Sequence, residues 1–192
     1  KEASKLNVPR IGVRFRLPAS MNQVEYFGRG PAENYLDRNA GSMVGLYKST
    51  AEELYFPYVR PQENGHHTDT RWVSLSTGKK GLLIQADNTI GFNALRNSIE
   101  DFDDEEATGL PRQWSNFTPE QVANHDEAAA KNVLRRQHHI NDITPRDFVE
   151  VCVDLKQQGV AGYDSWGSRP EPAYTLPANR EYNWGFTLIP LK

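Results

Sequence analysis

Carboxylate side chains give this sequence its nearest approach to a catalytic pattern. Hydrolysis of a glycosidic bond uses two carboxyl groups, about 5 Å apart in retaining enzymes and about 6.5–9.5 Å apart in inverting ones. The carboxylates flanked by aromatic or loop residues are Glu33, Asp37, Glu63 and Asp164. Carboxylates in such positions more often form turns or salt bridges than act as catalytic acids, and the sequence does not show that any pair meets the required distance. We therefore assign no catalytic residue to this chain.

An aromatic segment offers a clearer binding chemistry. Tyr163-Asp164-Ser165-Trp166-Gly167 lies in a glycine-rich connection that follows a strand-like run ending near Leu155. A tryptophan in a loop exposes apolar area unless it packs or meets a ligand. Sugar rings present apolar C–H faces that stack on indole, and carboxylates accept hydrogen bonds from their hydroxyls. The segment fits a sugar site, or else Trp166 fills the core beneath the loop.

The histidines, the cysteine and an acidic run do not form a metal-binding pattern. His66-His67 and His138-His139 are adjacent pairs, and neighbouring residues on a strand point to opposite faces, so we interpret them as structural or surface histidines. Cys152 stands in a strand-like run and is expected to pack as a small apolar group. The acidic run 100–106 lacks the alternating ligands of a calcium loop and reads as a solvated surface loop. We predict no metal site and no cofactor in this chain.

Composition excludes several classes of partner. The chain has 192 residues and a net charge of −3, which gives no electrostatic case for nucleic acid or an anionic membrane. No apolar run approaches the roughly 20 residues that span a bilayer, and residues 1–7 lack a signal-peptide core. We expect a soluble protein, cytoplasmic or periplasmic. The sequence does not start with Met, so we also expect a piece of a longer polypeptide.

The dominant hydrophobic period is two, which is typical of half-buried strands. Strands are predicted at 11–17, 24–27, 71–76, 82–86, 133–140, 149–155 and 182–188. One short helix is predicted from Thr118, where a capping hydroxyl precedes Pro119, to about Lys131. Many short strands separated by glycine and proline favour a sandwich or barrel. The fold class is therefore all-β, in one domain spanning residues 1–192.

Three motifs in this order carry a family resemblance. Residues 22–35, NQVEYFGRGPAENY, continue with Asp37-Arg38 and resemble the W-x-G-x-G-P-x-E-N-Y-x-D-R block of the small-chain domain of family-two β-galactosidases. Residues 58–65, YVRPQENG, match that family's Y-x-x-P-x-E-N-G block. Its C-terminal block corresponds to Pro145-Arg146-Asp147, Asp154, Gln157, Gly159 and Asp164 to Gly167.

The resemblance implies an architecture and a division of labour. It implies an antiparallel β-supersandwich related to galactose mutarotases, here lacking its N-terminal part. In such enzymes the two catalytic carboxylates lie on a TIM-barrel domain, and Mg²⁺ and Na⁺ sites lie on other domains. The chain alone is thus expected to be inactive. Its partners are the remainder of a homo-oligomeric enzyme and a terminal β-D-galactoside, which the parent hydrolyses with retention.

The resemblance also assigns candidate substrate-binding residues. Trp166 matches a tryptophan that these domains contribute to the sugar subsites. Asp164 and Tyr163 accompany it, and Tyr163 stands where the family often has glycine, so that it narrows the site or adds to it. Arg60, Glu63 and Asn64 either bind sugar or form a buried polar network that supports their loop. The segment from Ser98 to Arg112 is longer than usual.

Three other functions remain open from the sequence. The first is a stand-alone carbohydrate-binding module without catalysis. The second is an aldose 1-epimerase, whose general base and acid would be sought at His66 and Glu63. The third is a structural domain that holds the parent oligomer together while Trp166 merely packs.

Overall fold

The computed structural model describes residues 6–102, 140–164 and 166–192, and strands dominate these ranges. The strands are β1 (Arg10–Pro18), β2 (Gln23–Gly30), β3 (Met43–Thr50), β4 (His67–Ser76), β5 (Gly81–Leu95), β6 (Phe148–Gln157) and β7 (Phe186–Leu191). Helical structure within the described ranges consists of 3₁₀ turns at Ile99–Asp101, Ile140–Asp142 and Pro172–Tyr174. None of these described helices has the length or hydropathy to cross a bilayer. The all-β prediction is confirmed.

The described strands pair into one antiparallel sheet of seven strands, in the order β1-β6-β5-β4-β2-β3, with β7 paired to β5. The long strand β5 joins the two parts of the sheet. Its residues 81–86 pair with β7, and its residues 91–95 pair with β6. β4 runs along the other edge of β5, with a register irregularity on either side of Thr70. An antiparallel sheet of this kind is what a β-sandwich requires.

The chain divides into two compact units. The first comprises Lys1–Phe56, Asn64–Arg96 and Arg146–Lys192, and it contains all seven described strands. The second comprises Pro57–Glu63 and Asn97–Pro145. Within this second unit, the Asn97 side-chain amide donates to the Thr144 carbonyl at 2.8 Å. The single domain spanning 1–192 stays a prediction.

The core lies where the strand alternation places apolar side chains. Fully buried members are Val73 and Leu75 of β4, Ile84 and Phe92 of β5, and Val149, Val151 and Val153 of β6. Cys152 is also buried, as predicted. However, the prediction that β6 is half-buried is wrong, because Glu150 and Asp154 on its other face are buried too. Arg14 and Arg16 of β1 reach Glu150, and Arg10 reaches Asp154, so charged partners cover that second face.

The strand predictions succeed where alternation is regular. The predicted strands at 11–17, 24–27, 71–76, 82–86 and 149–155 are present, whereas β3 was not predicted and β5 is longer than expected. The strand predicted at 182–188 begins only at Phe186. Tyr182 precedes it outside the sheet, and its hydroxyl donates to the Pro177 carbonyl at 2.9 Å. The helix predicted from Thr118 and the strand predicted at 133–140, except Ile140, lie outside the described residues.

Candidate functional site

The loop that follows β6 presents Trp166 to solvent. The Trp166 side chain is 93% exposed. Its backbone N–H donates to Oδ1 of Asp164 at 2.8 Å, a local turn in which the aspartate orients the residue two positions later. Trp166 therefore does not fill the core beneath the loop in the described part of the chain. An exposed indole face of this kind is available for stacking on a ligand.

Tyr163 and Asp164 share this loop with Trp166. Tyr163 is 56% exposed, and its hydroxyl donates to Oδ2 of Asp37 at 3.2 Å. Its backbone N–H donates to the Ser168 hydroxyl at 3.0 Å. Partial desolvation, together with the negative charge of Asp37, raises the pKa of the Tyr163 phenol above its ordinary value. The structure thus places the three best-supported candidates, Tyr163, Asp164 and Trp166, on one exposed loop.

The carboxylate of Asp37 holds the start of this loop. Its Oδ1 accepts the Val160 N–H at 3.1 Å, and its Oδ2 accepts the Ala161 N–H at 2.8 Å. Gly159 is needed beside it, because a Cβ at that position would lie 2.5 Å from Asp37 Oδ2. The sequence names Asp37 as a loop-flanked carboxylate and as part of the family block, but it does not show this role, because the partners of Asp37 follow more than a hundred residues later.

Asn64, Arg60 and Glu63 have different environments. Asn64 is buried, its Oδ1 accepts the Phe56 N–H at 3.0 Å, and its carbonyl accepts from the Asn93 side-chain amide at 2.7 Å. These contacts are those of a polar network that supports a loop. Arg60 and Glu63 belong to the second compact unit, where Arg60 is exposed and Glu63 is half-buried. Sugar binding by these residues stays a prediction.

A buried polar cluster lies between β1, β5 and β6, and the sequence did not reveal it. Arg10 Nη2 lies 2.5 Å from Asp154 Oδ2 and donates to Asn93 Oδ1 at 2.8 Å. The same Asn93 oxygen lies 2.8 Å from His66 Nδ1. Burial lowers the pKa of His66 to about 3, and burial also raises the pKa of Asp154 against the opposing effect of Arg10.

The surroundings of His66 do not suit it as a sugar-facing base. Its side chain is only 1% exposed, and the ring stacks on Tyr35 with centroids 5.5 Å apart. A ring buried to this extent does not face a sugar, so this site gives no support to an aldose 1-epimerase.

Comparison with known proteins gives a consistent family. A family model described as Beta galactosidase small chain matches residues 1–188. A Beta-galactosidase of Priestia megaterium is 35% identical over 185 residues, which cover 96% of this chain and 15% of that protein. One from Vibrio cholerae is 29% identical over 94% of this chain and 14% of its own length. One from Arthrobacter is 42% identical over 48% of this chain and 10% of its own. The chain thus spans at most 15% of these relatives.

Proposed function

Because the chain belongs to the β-galactosidase small-chain family, we propose that it completes the galactoside-binding pocket of a β-galactosidase, with Trp166 stacking on a sugar ring. The remainder of the enzyme supplies the acid/base and nucleophile carboxylates and cleaves terminal β-D-galactosides with retention. Tyr163 and Asp164 line the same subsite and contribute hydrogen bonds to sugar hydroxyls. The partners of this chain are therefore the rest of the enzyme and its substrate.

The observation that carries this proposal is the exposure of Trp166. A tryptophan left 93% exposed contributes little to folding of this chain, so a ligand explains its place in the loop better than packing does. An indole stacked on a sugar contributes about 1–3 kcal/mol of binding energy, which is the range for burying an aromatic side chain.

Three of the loop-flanked carboxylates accept hydrogen bonds from the backbone, which argues against a catalytic role for them. Asp37 accepts two backbone N–H groups, Glu33 Oε2 accepts the Gly65 N–H at 2.6 Å, and Asp164 accepts the Trp166 N–H. Carboxylates used as backbone acceptors are held in place to organise loops. A nucleophile or a general acid instead has to face the glycosidic bond.

The first test is galactosidase activity of the purified chain, alone and combined with the remainder of the enzyme. We expect no activity from the chain alone and restored activity on combination. Galactoside binding by the chain alone, with no contribution to activity on combination, would instead identify a stand-alone carbohydrate-binding module. Activity of the chain alone would place a catalytic carboxylate pair within these residues and contradict the proposal.

The second test is Trp166→Ala in the assembled enzyme. We expect the dissociation constant of a competitive galactoside inhibitor to rise about tenfold, because about 1.4 kcal/mol of stacking energy is lost. Trp184→Phe is the matched control, since Trp184 lies against Phe186, with ring centroids 5.3 Å apart, rather than on the loop. Unchanged KM, kcat and inhibitor affinity in Trp166→Ala would leave a structural role as the better account of the chain.

A further inference from the structure

We infer that Asp37 is the positioning residue of the loop that presents Trp166, and that its carboxylate thereby sets the galactoside affinity of the assembled enzyme. The inference rests on the proposed function, since it concerns the same sugar subsite. Asp37 acts through the backbone of the loop and through the Tyr163 hydroxyl.

The Asp37 carboxylate accepts three hydrogen bonds from residues at the start of the loop. Val160 N–H and Ala161 N–H donate to its two oxygens at 3.1 and 2.8 Å, and the Tyr163 hydroxyl donates to Oδ2 at 3.2 Å. Hydrogen bonds to a charged acceptor are stronger than those between neutral groups. These bonds fix both the path of the backbone and one side chain of the subsite.

The loop needs such an anchor because its own conformation is unfavourable. Ala161 has a φ of +54° and Gly162 a φ of +79°, so two consecutive residues adopt the left-handed region. That region is costly for a residue with a Cβ such as Ala161. Trp166 is almost fully exposed, so side-chain packing does not hold its direction. The position of the indole depends on the backbone that Asp37 fixes.

Asp37 lies beside a buried part of the first unit. It lies in a tight turn in which the Arg38 N–H donates to the Tyr35 carbonyl at 2.8 Å. Tyr35 is buried and stacks on His66 within the core. Asp37 therefore connects a buried part of the first unit to an exposed loop more than a hundred residues later in the chain.

Asp37→Asn in the assembled enzyme tests the inference. One oxygen becomes an NH₂ group, which faces a backbone N–H and cannot accept from it. The matched control is Asp147→Asn, the same change at an exposed aspartate for which the described part of the chain shows no hydrogen bond. Two measurements are compared: the rate of chymotrypsin cleavage after Tyr163 and Trp166, and the affinity for a competitive galactoside inhibitor.

We expect Asp37→Asn to speed loop cleavage and to weaken inhibitor binding, each by about tenfold, as for the loss of a charge-assisted hydrogen bond. KM should rise with kcat nearly unchanged, because ground-state and transition-state binding fall together. In the Trp166→Ala background, Asp37→Asn should weaken binding by a smaller factor than in the wild type, because the indole it positions is gone and only the contribution of Tyr163 remains to be lost. A merely structural role predicts additive effects instead.

The outcomes separate the inference from the proposed function. If Trp166→Ala weakens binding while Asp37→Asn changes neither cleavage nor affinity, the inference is wrong and the proposed function stands. If Trp166→Ala has no effect on affinity, both are wrong. Should Asp37→Asn fail to fold, Gly159→Ala displaces the same carboxylate, because a Cβ there would lie 2.5 Å from Asp37 Oδ2. Unchanged cleavage and unchanged inhibitor affinity in that variant overturn the inference.

Discussion

His66 Nδ1 lies 2.8 Å from Oδ1 of Asn93, and this contact determines which nitrogen of a buried histidine carries the proton. The Asn93 amide group donates to the Asn64 carbonyl, so the Asn93 oxygen must face Arg10 and His66. An oxygen acceptor requires a hydrogen on His66 Nδ1, which leaves Nε2 as an unprotonated acceptor. A neutral imidazole is therefore buried beside the Arg10–Asp154 ion pair.

The neutral state of His66 predicts loss of stability in acid. Burial lowers its folded-state pKa to about 3, against an ordinary value of 6.5. Below pH 6.5 His66 becomes protonated in the unfolded chain but stays neutral in the folded chain. The free energy of unfolding should therefore fall with decreasing pH by up to about 1.4 kcal/mol per unit for this residue. Chemical denaturation at pH 7, 6 and 5 measures the slope.

His66→Gln should remove this share of the slope while keeping a donor toward Asn93. His67, whose pKa burial also lowers, contributes in the same direction and remains in the variant. Asp154 lies 4.0 Å from His66 Nδ1, and burial raises its pKa. Protonation of Asp154 in the folded state therefore increases the free energy of unfolding as the pH falls, opposite to the effect of His66. A variant with the wild-type pH slope would show that His66 is not held neutral.

The Arg10–Asp154 pair should be costly to break. Arg10→Met leaves a buried carboxylate without its cation and removes a donor to Asn93. We expect the free energy of unfolding to fall by about 3–5 kcal/mol, as for other buried pairs that lose one partner. Lys48→Met, which breaks the exposed pair with Glu25 at 3.4 Å, should cost less than about 1 kcal/mol. Equal losses in urea denaturation would contradict this assignment.

Gly91 should not tolerate a methyl group. A Cβ on Gly91 would lie 2.5 Å from Cε1 and Nε2 of the buried His66 ring. Gly91→Ala should reduce the free energy of unfolding by about 1–3 kcal/mol, the range for overpacking a core. Gly41→Ala is the control, since a Cβ there meets nothing within 4 Å. Equal thermal stability of the two variants would show that the His66 ring moves aside freely.

Trp166 and Phe92 should differ sharply in their effect on stability. Trp166→Ala is expected to change the free energy of unfolding by no more than about 0.5 kcal/mol, because the side chain is exposed. Phe92→Ala, in the centre of β5 and fully buried, should cost about 3–5 kcal/mol. A large loss of thermal stability in Trp166→Ala would mean that the indole packs in solution, and the sugar-stacking proposal would lose its support.

Local patterns in the sequence were enough for much of the fold. Alternation over 11–17, 24–27, 71–76, 82–86 and 149–155 located five strands correctly, because a strand with one buried face records that face in every second residue. The glycine-rich segment around Trp166 was likewise recognisable as a loop. The same pattern did not predict the edge strand β3. Its apolar residues Val44 and Leu46 are exposed, so its sequence does not alternate between a buried and an exposed face.

The sequence by itself determined the fold class, the family and the aromatic loop, because these depend on short-range periodicity and on motifs. The tertiary structure alone decided that β6 is buried on both faces, that His66 is neutral, and that Asp37 holds the loop of Trp166. These features depend on residues far apart in the chain, such as Arg10 with Asp154, and no local pattern encodes which of them meet. Burial and long-range hydrogen bonding gave ordinary aspartates and histidines their distinct roles.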